Sequence, residues 1–186
     1  MAASTIAEDK ARLFVLLKTQ AFVRGKFILS SGKESDFYLD ARLVTLSPAG
    51  AYLAGKIILD MTKDDALDAI GGPTLGADPM VGAVASLSHQ AGKPINTFII
   101  RKQPKAHGKQ QQIEGPALKE GASVVIIDDV ATTGKAFVES IEVLHKINVK
   151  IQKAVCIIDR QEGAREALAQ YHVPLESMFT VSEFLK

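Results

Sequence analysis

Cysteine occurs once in this chain, at Cys156, and tryptophan not at all. One thiol excludes an intramolecular disulfide and a cysteine metal cluster, and it favours a reducing, cytoplasmic setting. The V-C-I-I surroundings of Cys156 are strand-like, so a buried small hydrophobe is expected there rather than a nucleophile. Excess charge is also missing. The 22 Lys and Arg against 21 Asp and Glu leave +1, which gives no global electrostatic case for nucleic acid or a membrane surface as partner. No apolar run approaches the roughly 20 residues of a membrane span. The opening M-A-A-S-T-I-A-E-D-K lacks the basic start and apolar core of a secretion signal. Internal repeats and low-complexity linkers are absent too. A chain of 186 residues is then expected to form a single domain, 1–186, with a proper core.

What is present centres on Val124 to Ala136, V-V-I-I-D-D-V-A-T-T-G-K-A. Four β-branched apolar residues in succession predict a strand buried on both faces of a parallel sheet. Asp128 and Asp129 follow at its carboxyl end, where open α/β sheets bind ligands. Thr132, Thr133 and Gly134 open the next helix. Free N–H groups, two hydroxyls and the positive end of the helix dipole converge there, as an anion and most naturally a phosphate site requires. The glycine that a Walker loop needs five residues before Gly134 is Asp129 here, so this is not a P-loop. It also lacks the G-x-G-x-x-G of dinucleotide folds. Vicinal sugar hydroxyls suit the two carboxylates, and a ribose 5-phosphate fits acids and turn together. The plain alternative is a βα turn in which the acids merely cap.

Around that stretch the pattern alternates. Thr5-x-x-Glu8 forms a capping box ahead of a helix with Ile6, Leu13, Leu16 and Leu17 on one face, and Gly25 ends that region. Lys26 to Arg42 reads as a hairpin turning at Ser30–Lys33. Its Phe37 and Tyr38 form either a hood over a planar ligand or a small satellite core. Ser47-Pro48 starts a helix to about Met61. Ala69–Gly72 is a short strand, 73–77 a glycine-containing loop, and Asp78-Pro79 caps a helix ending at Gly92. Ile95–Ile100 is a strand, followed by R-K-Q-P-K-A-H-G-K at 101–109, which has neither helical nor strand period. Its cations cluster at a strand end in a near-neutral chain. That placement suits a lid over a polyanion such as pyrophosphate, against the alternative of a solvated basic loop. The helix after Gly134 presents Phe137, Ile141 and Leu144, with Asn148 as its C-cap. Strand 153–159 leads to Arg160, which either faces the ligand edge or makes a surface ion pair. A helix over 162–171 and a strand over 177–181 complete an α/β chain with a mainly parallel sheet and helices on both faces.

S-G-K-E-S-D-F-Y-L-D (31–40), G-G-P-T-L-G-A-D-P (71–79), R-K-Q-P-K-A-H-G (101–108), D-D-V-A-T-T-G (128–134) and I-D-R-Q-E (158–162) stand in this order. The D-D-V-A-T-T-G stretch resembles the phosphoribosyl pyrophosphate (PRPP) motif of the type I phosphoribosyltransferases. The full set, over about residues 10 to 185, is similar to the orotate phosphoribosyltransferases. The resemblance implies the type I phosphoribosyltransferase fold, with a hood from roughly 1–45 plus the C-terminal end and a core over roughly 46–175. It implies transfer of 5-phosphoribosyl from PRPP to orotate, with Mg²⁺ carried mainly by PRPP and no firm protein ligands for the metal. Arg101, Lys102, Lys105 and His107 then bind PRPP and its pyrophosphate, with Lys105 as the catalytic-loop lysine and His107, Asp128 and Asp129 joining it in catalysis. Asp128, Asp129, Val130, Ala131, Thr132, Thr133, Gly134, Lys135 and Ala136 cradle the ribose phosphate. Thr132 and Arg160 meet orotate, with Phe37 and Tyr38 near the base. The resemblance also implies a homodimer sharing the catalytic loop. Two positions depart from the pattern: Ser30 stands where many members carry a PRPP-contacting lysine, and Leu75-Gly76 where others have Tyr-Lys. Rival expectations are a transferase for another base, a PRPP-sensing regulator that binds nucleic acid, and a generic flavodoxin-like domain.

Overall fold

Two segregated sets of β-branched and aliphatic side chains divide this molecule into layers. In the computed structural model, which describes residues 4–28, 34–103 and 112–186, six strands form one sheet in the order β5-β4-β3-β6-β7-β8. These are β3 (Ala69–Pro73), β4 (Asn96–Ile100), β5 (Ile113–Glu114), β6 (Ser123–Ala131), β7 (Lys150–Asp159) and β8 (Leu175–Thr180). All neighbours pair parallel except the two-residue edge strand β5, which runs antiparallel to β4. Alternate residues of β6 face opposite layers. Val125 and Ile127 pack with Ile57, Ile58 and Met80, whereas Val124 and Ile126 pack with Phe137, Ile141 and Leu144. The first layer holds α1 (Ile6–Leu16), α3 (Pro48–Met61) and α4 (Asp78–Gln90); the second holds α5 (Lys135–His145) and α6 (Ala164–Ala169). No helix of the described residues is long and apolar enough to cross a membrane.

The local signals set the helix starts. Thr5 and Glu8 form the reciprocal capping box, and Ser47 Oγ accepts from Gly50 N ahead of Pro48. At α4 the expected aspartate cap is different. Ala77 occupies the cap position without a side-chain bond, because Asp78 Oδ2 instead accepts from the Thr74 hydroxyl at 2.8 Å. Asn148 is not the C-cap of α5, which is Lys146. Asn148 lies in the following turn with φ +54°.

The hairpin also begins earlier than expected. A π-helical turn, Leu17–Ala21, leads straight into β1 (Phe22–Ile28), which pairs antiparallel with β2 (Glu34–Leu39). Gly25 sits inside β1 at φ +157° and marks a register shift between Arg24 and Phe27, so a bulge stands where the sequence implied a terminator. A short α2 (Arg42–Thr45) joins hairpin to α3. After β8, residues Val181–Leu185 form α7 on a second capping box, Thr180 with Glu183. The last strand therefore ends one residue sooner than expected. Phe184 of α7 contacts Phe14, Phe22 and Phe179, which ties the chain's end to the base of the hairpin.

Candidate active site

The carboxyl end of β6 delivers Asp128 and Asp129 into a cleft of about 550 Å³. The strand does not stop at the acids. Its ladder with β7 runs on to Ala131 paired with Asp159, which holds both carboxylates on rigid backbone. Asp128 Oδ1 accepts from Asp129 N at 2.9 Å, and Asp129 Oδ1 accepts from Val130 N at 2.8 Å. Neither carboxylate has an ion-pair partner among the described residues. Burial pushes Asp128 well above the usual carboxylate range, and repulsion from Asp129 and Asp78 adds to it. Burial raises Asp129 as well, against the Val130 N–H and the nearby Arg42 charge, which act in the opposite sense.

The opposite wall is the loop between β3 and α4, where Thr74–Leu75 is a cis peptide. A Cβ on Gly76 would overlap Oδ1 of both Asp128 and Asp129, so only glycine lets this backbone lie against the acids. Asp78 Oδ1 is buried there with no hydrogen-bond donor among the described residues.

Beyond the acids the chain turns through Thr132, Thr133 and Gly134. Gly134 has φ +81°, and a Cβ there would stand 3.0 Å from Leu168 Cδ1. It caps α5 without any side-chain bond, so the helix keeps its first N–H groups for a ligand. These residues line a second hollow of about 560 Å³, which shares Lys102, Asp128, Val130, Thr132, Ala136 and Glu139 with the first. Thr132 is half-buried between the two hollows, and Thr133 and Ala136 are exposed. Ala131 is buried, and its carbonyl accepts from Arg160 N at 2.8 Å. Lys135 lines the second hollow with its side chain 81% exposed, 3.8 Å from Glu139.

At the other end of the cleft stands Arg160, whose side chain is only 8% exposed. Its Nε donates to Glu162 Oε1 at 2.8 Å, and its guanidinium carbon lies 4.8 Å from the Phe37 ring centre. Phe37 in turn stacks on Phe22 at 5.4 Å. Tyr38 is placed differently from the expectation. Neighbours on a strand point to opposite faces, so Tyr38 is 43% exposed and leans on Phe27 instead of joining Phe37 beside Arg160.

Arg42, which the sequence reading passed over, also lines the cleft. It forks onto Asp40 through Nε at 2.8 Å and Nη2 at 3.0 Å. That pairing holds the Asp40 carboxyl below its usual range and raises Arg42. The D-A-R spacing at the end of β2 was the signal for it. Of the basic loop, Arg101 and Lys102 line the cleft, with Arg101 also meeting Glu114 at 3.3 Å. Lys105 and His107 lie outside the described residues, as do Ser30 and the hairpin turn. Cys156 is buried beneath the site, its thiol pushed up by burial and then by Asp159.

Among the described residues no three His, Cys, Asp or Glu side chains converge as a metal site. A buried and a half-buried carboxylate without cations among the described residues, facing a glycine backbone, nevertheless fit a hard divalent ion that brings most of its oxygen ligands from a diphosphate.

Known proteins are similar to this chain over nearly its whole length. A family model described as the phosphoribosyl transferase domain matches residues 46–179. Orotate phosphoribosyltransferase from Rhodopirellula baltica is 37% identical over 190 residues, covering 99% of this chain and 98% of that protein. The crystal structure of Mycobacterium tuberculosis orotate phosphoribosyltransferase with Fe(III) dicitrate superposes with TM-score 0.83 at 33% identity, covering 95% of this chain and 98% of that one. The structure of the same enzyme with PRPP gives 0.79 at 29% identity, covering 96% and 99%.

Proposed function

The chain belongs to the phosphoribosyl transferase family, and we propose that it transfers the 5-phosphoribosyl group of PRPP to orotate in pyrimidine nucleotide synthesis. One observation carries this reading: two adjoining hollows share Asp128, one with a phosphate-type helix terminus and the other with a buried guanidinium and the uncompensated acid pair. Those are the complements of a sugar phosphate, a carboxylate-bearing base and sugar hydroxyls, at the correct order along the molecule. The curated relative named for orotate supports the choice of base, as does the PRPP held by the M. tuberculosis enzyme for the donor.

In this reading the 5-phosphate rests on Thr132 to Gly134 and the N–H groups of Lys135 and Ala136. The ribose 2- and 3-hydroxyls donate to Asp128 and Asp129. Base N1 attacks ribose C1, the C1–O bond breaks with its electron pair leaving on pyrophosphate, and the N1 proton passes to the departing pyrophosphate oxygen. Positive charge grows on the sugar next to the acid pair, and negative charge on the leaving group. Arg101 and Lys102 at the cleft, with Lys105 and His107 supplied by the basic segment of a second copy, meet that negative charge and exclude water. Thr132 and Arg160 bind orotate, with Arg160 on its carboxylate. Asp128 and Asp129 would hold a Mg²⁺ brought by PRPP, which would supply neutralisation of the diphosphate charge.

The whole chain acts as one unit in this proposal, with the hairpin, α1 and α7 as a hood on the core, in the cytoplasm. It pairs with a second copy that lends its 101–109 segment to the neighbouring cleft. Exposed Leu43, Leu46 and Tyr52 on and beside α2 and α3 provide apolar surface for that pairing.

Orotate consumption by the purified protein with PRPP and Mg²⁺, with orotidine 5′-monophosphate identified as product, tests the assignment. Turnover that needs both PRPP and metal is expected. PRPP binding without turnover of orotate, and turnover of a purine base instead, would overturn it.

A further inference from the structure

We propose that Glu162 is a positioning residue for the base end of the cleft: with Phe37 it clamps Arg160 so that one edge of the guanidinium is left for the carboxylate of the base. The inference rests on the assignment of orotate to the Arg160 end.

Arg160 is the first residue past β7, and its N–H bond to Ala131 O continues the ladder, so its Cα is fixed. A buried guanidinium needs acceptors for five N–H groups. Glu162 takes the Nε proton at 2.8 Å, and the Phe37 ring supports one face of the plane. Among the described residues neither Nη group of Arg160 has an acceptor. Arginine offers two forks, one through Nε and one Nη, the other through both Nη groups. Glu162 takes the Nε corner of the first, so the second is the fork left whole for a ligand. A paired Nη fork matches a carboxylate in plane and spacing.

The clamp is braced from behind. Gln161 is left-handed at φ +59° and Gly163 at φ +104°, which turns the chain back so that Glu162 reaches Arg160. Gln161 N donates to Asp159 Oδ1 at 2.8 Å, and Asp159 Oδ2 accepts from Arg165 Nε at 2.7 Å. Gln161 also meets the Ser182 hydroxyl of α7. Glu162 is thus held by backbone, whereas its own carboxylate is 35% exposed and bonds only Arg160 among the described residues. A pyrimidine without a carboxylate leaves the Nη fork unsatisfied in a buried place, so the clamp selects against it.

Steady-state kinetics of Glu162→Ala, Glu162→Gln, Arg160→Ala and the double variant Arg160→Ala/Glu162→Ala test this. Glu162→Ala should raise the KM for orotate about 10- to 100-fold, the size of one charge-assisted hydrogen bond, with the KM for PRPP within about twofold. Glu162→Gln keeps an acceptor oxygen for Nε and should recover most of the loss. In the double variant the Glu162 change should add nothing beyond Arg160→Ala, because the positioned group is gone. Fully additive losses, an unchanged orotate KM in Glu162→Ala, or equal rises in both KM values would each overturn the clamp. If Arg160→Ala itself leaves the orotate KM unchanged, the underlying placement of orotate fails instead, and the two failures are told apart.

Discussion

Buried aspartates occur in two settings here. Asp9 is fully buried on α1 and meets Lys56 of α3 at 2.5 Å, with Ser4 Oγ donating at 2.7 Å. Asp159, 1% exposed, has Arg165 at 2.7 Å. Asp128 is about as buried at 8%, yet it and Asp129 face no cation at ion-pair distance among the described residues. The consequences are opposite. Burial works to raise Asp9, but Lys56 and Ser4 outweigh it and the carboxyl titrates below its usual range. At the acid pair burial prevails and both rise. A carboxylate buried with its cation fastens one helix to another. Asp128 and its half-buried neighbour Asp129, without any among the described residues, are a standing demand for charge, which a ligand must meet.

If the cation that completes the acid-pair region comes from the basic segment and the bound substrate, the sharpest disturbance is Lys105→Ala. Turnover should fall about 10³-fold, the scale of losing an electrostatic catalytic group, with an unchanged thermal midpoint; near-normal kcat would remove this lysine from the mechanism. Next is Asp128→Asn with Asp129→Asn, which should weaken PRPP about 100-fold by calorimetry, two charge-assisted hydrogen bonds being lost. The same variant should be more stable than the parent at about pH 7, since it removes carboxylates whose charged forms are disfavoured in the fold. Because their folded pKa values lie above the unfolded value, that advantage should shrink as pH falls through the raised range and vanish near pH 3.8. Denaturant titrations at both pH values read it out, and an advantage that grows on acidification would break the contrast.

Asp9→Asn should do the reverse. It strands Lys56, which is 23% exposed, and should cost about 2 kcal/mol of stability, below the full penalty for a buried pair. Activity should remain within about twofold. The depressed carboxyl of Asp9 stabilises the fold above its unfolded value of 3.8 and loses that contribution as pH falls through its folded value. Lys135→Ala should be smallest of all. Its 81% exposed side chain and 3.8 Å contact to Glu139 predict a stability change under about 0.5 kcal/mol, and a PRPP affinity loss above about tenfold would show that this side chain swings onto the phosphate.

The contiguous parts of the fold and site were legible in sequence. The apolar run of β6, its acids and the T-T-G turn are neighbours along the chain, so periodicity and turn chemistry reveal them without tertiary knowledge. The capping box at Thr5 and the Ser47-Pro48 start were equally local. What escaped depends on packing. Gly25 reads as a terminator until β2 is laid beside β1. Asp78 reads as a cap until Thr74 takes it. Arg42 acquires significance only from lying across the cleft from Asp129, and strand alternation gives only one of two adjacent aromatics, Phe37, to Arg160. Glu162 looked like part of a helix, and only the reversal at Gln161 and Gly163 shows that it turns back.

The aromatic column behind Arg160 has a consequence for how the molecule assembles. Phe37 rests on Phe22, Phe22 on Phe184, and Arg24 reaches the Leu185 carbonyl across 161 positions of sequence. The sugar-phosphate turn can form within one βα unit, whereas the shelf under the base closes only when strands near one end of the sequence meet a helix near the other. Loop-closure entropy makes such distant contacts late and slow. Refolding followed by PRPP binding should therefore recover before refolding followed by orotate binding, so that the protein acquires its grip on the donor before it can recognise the acceptor.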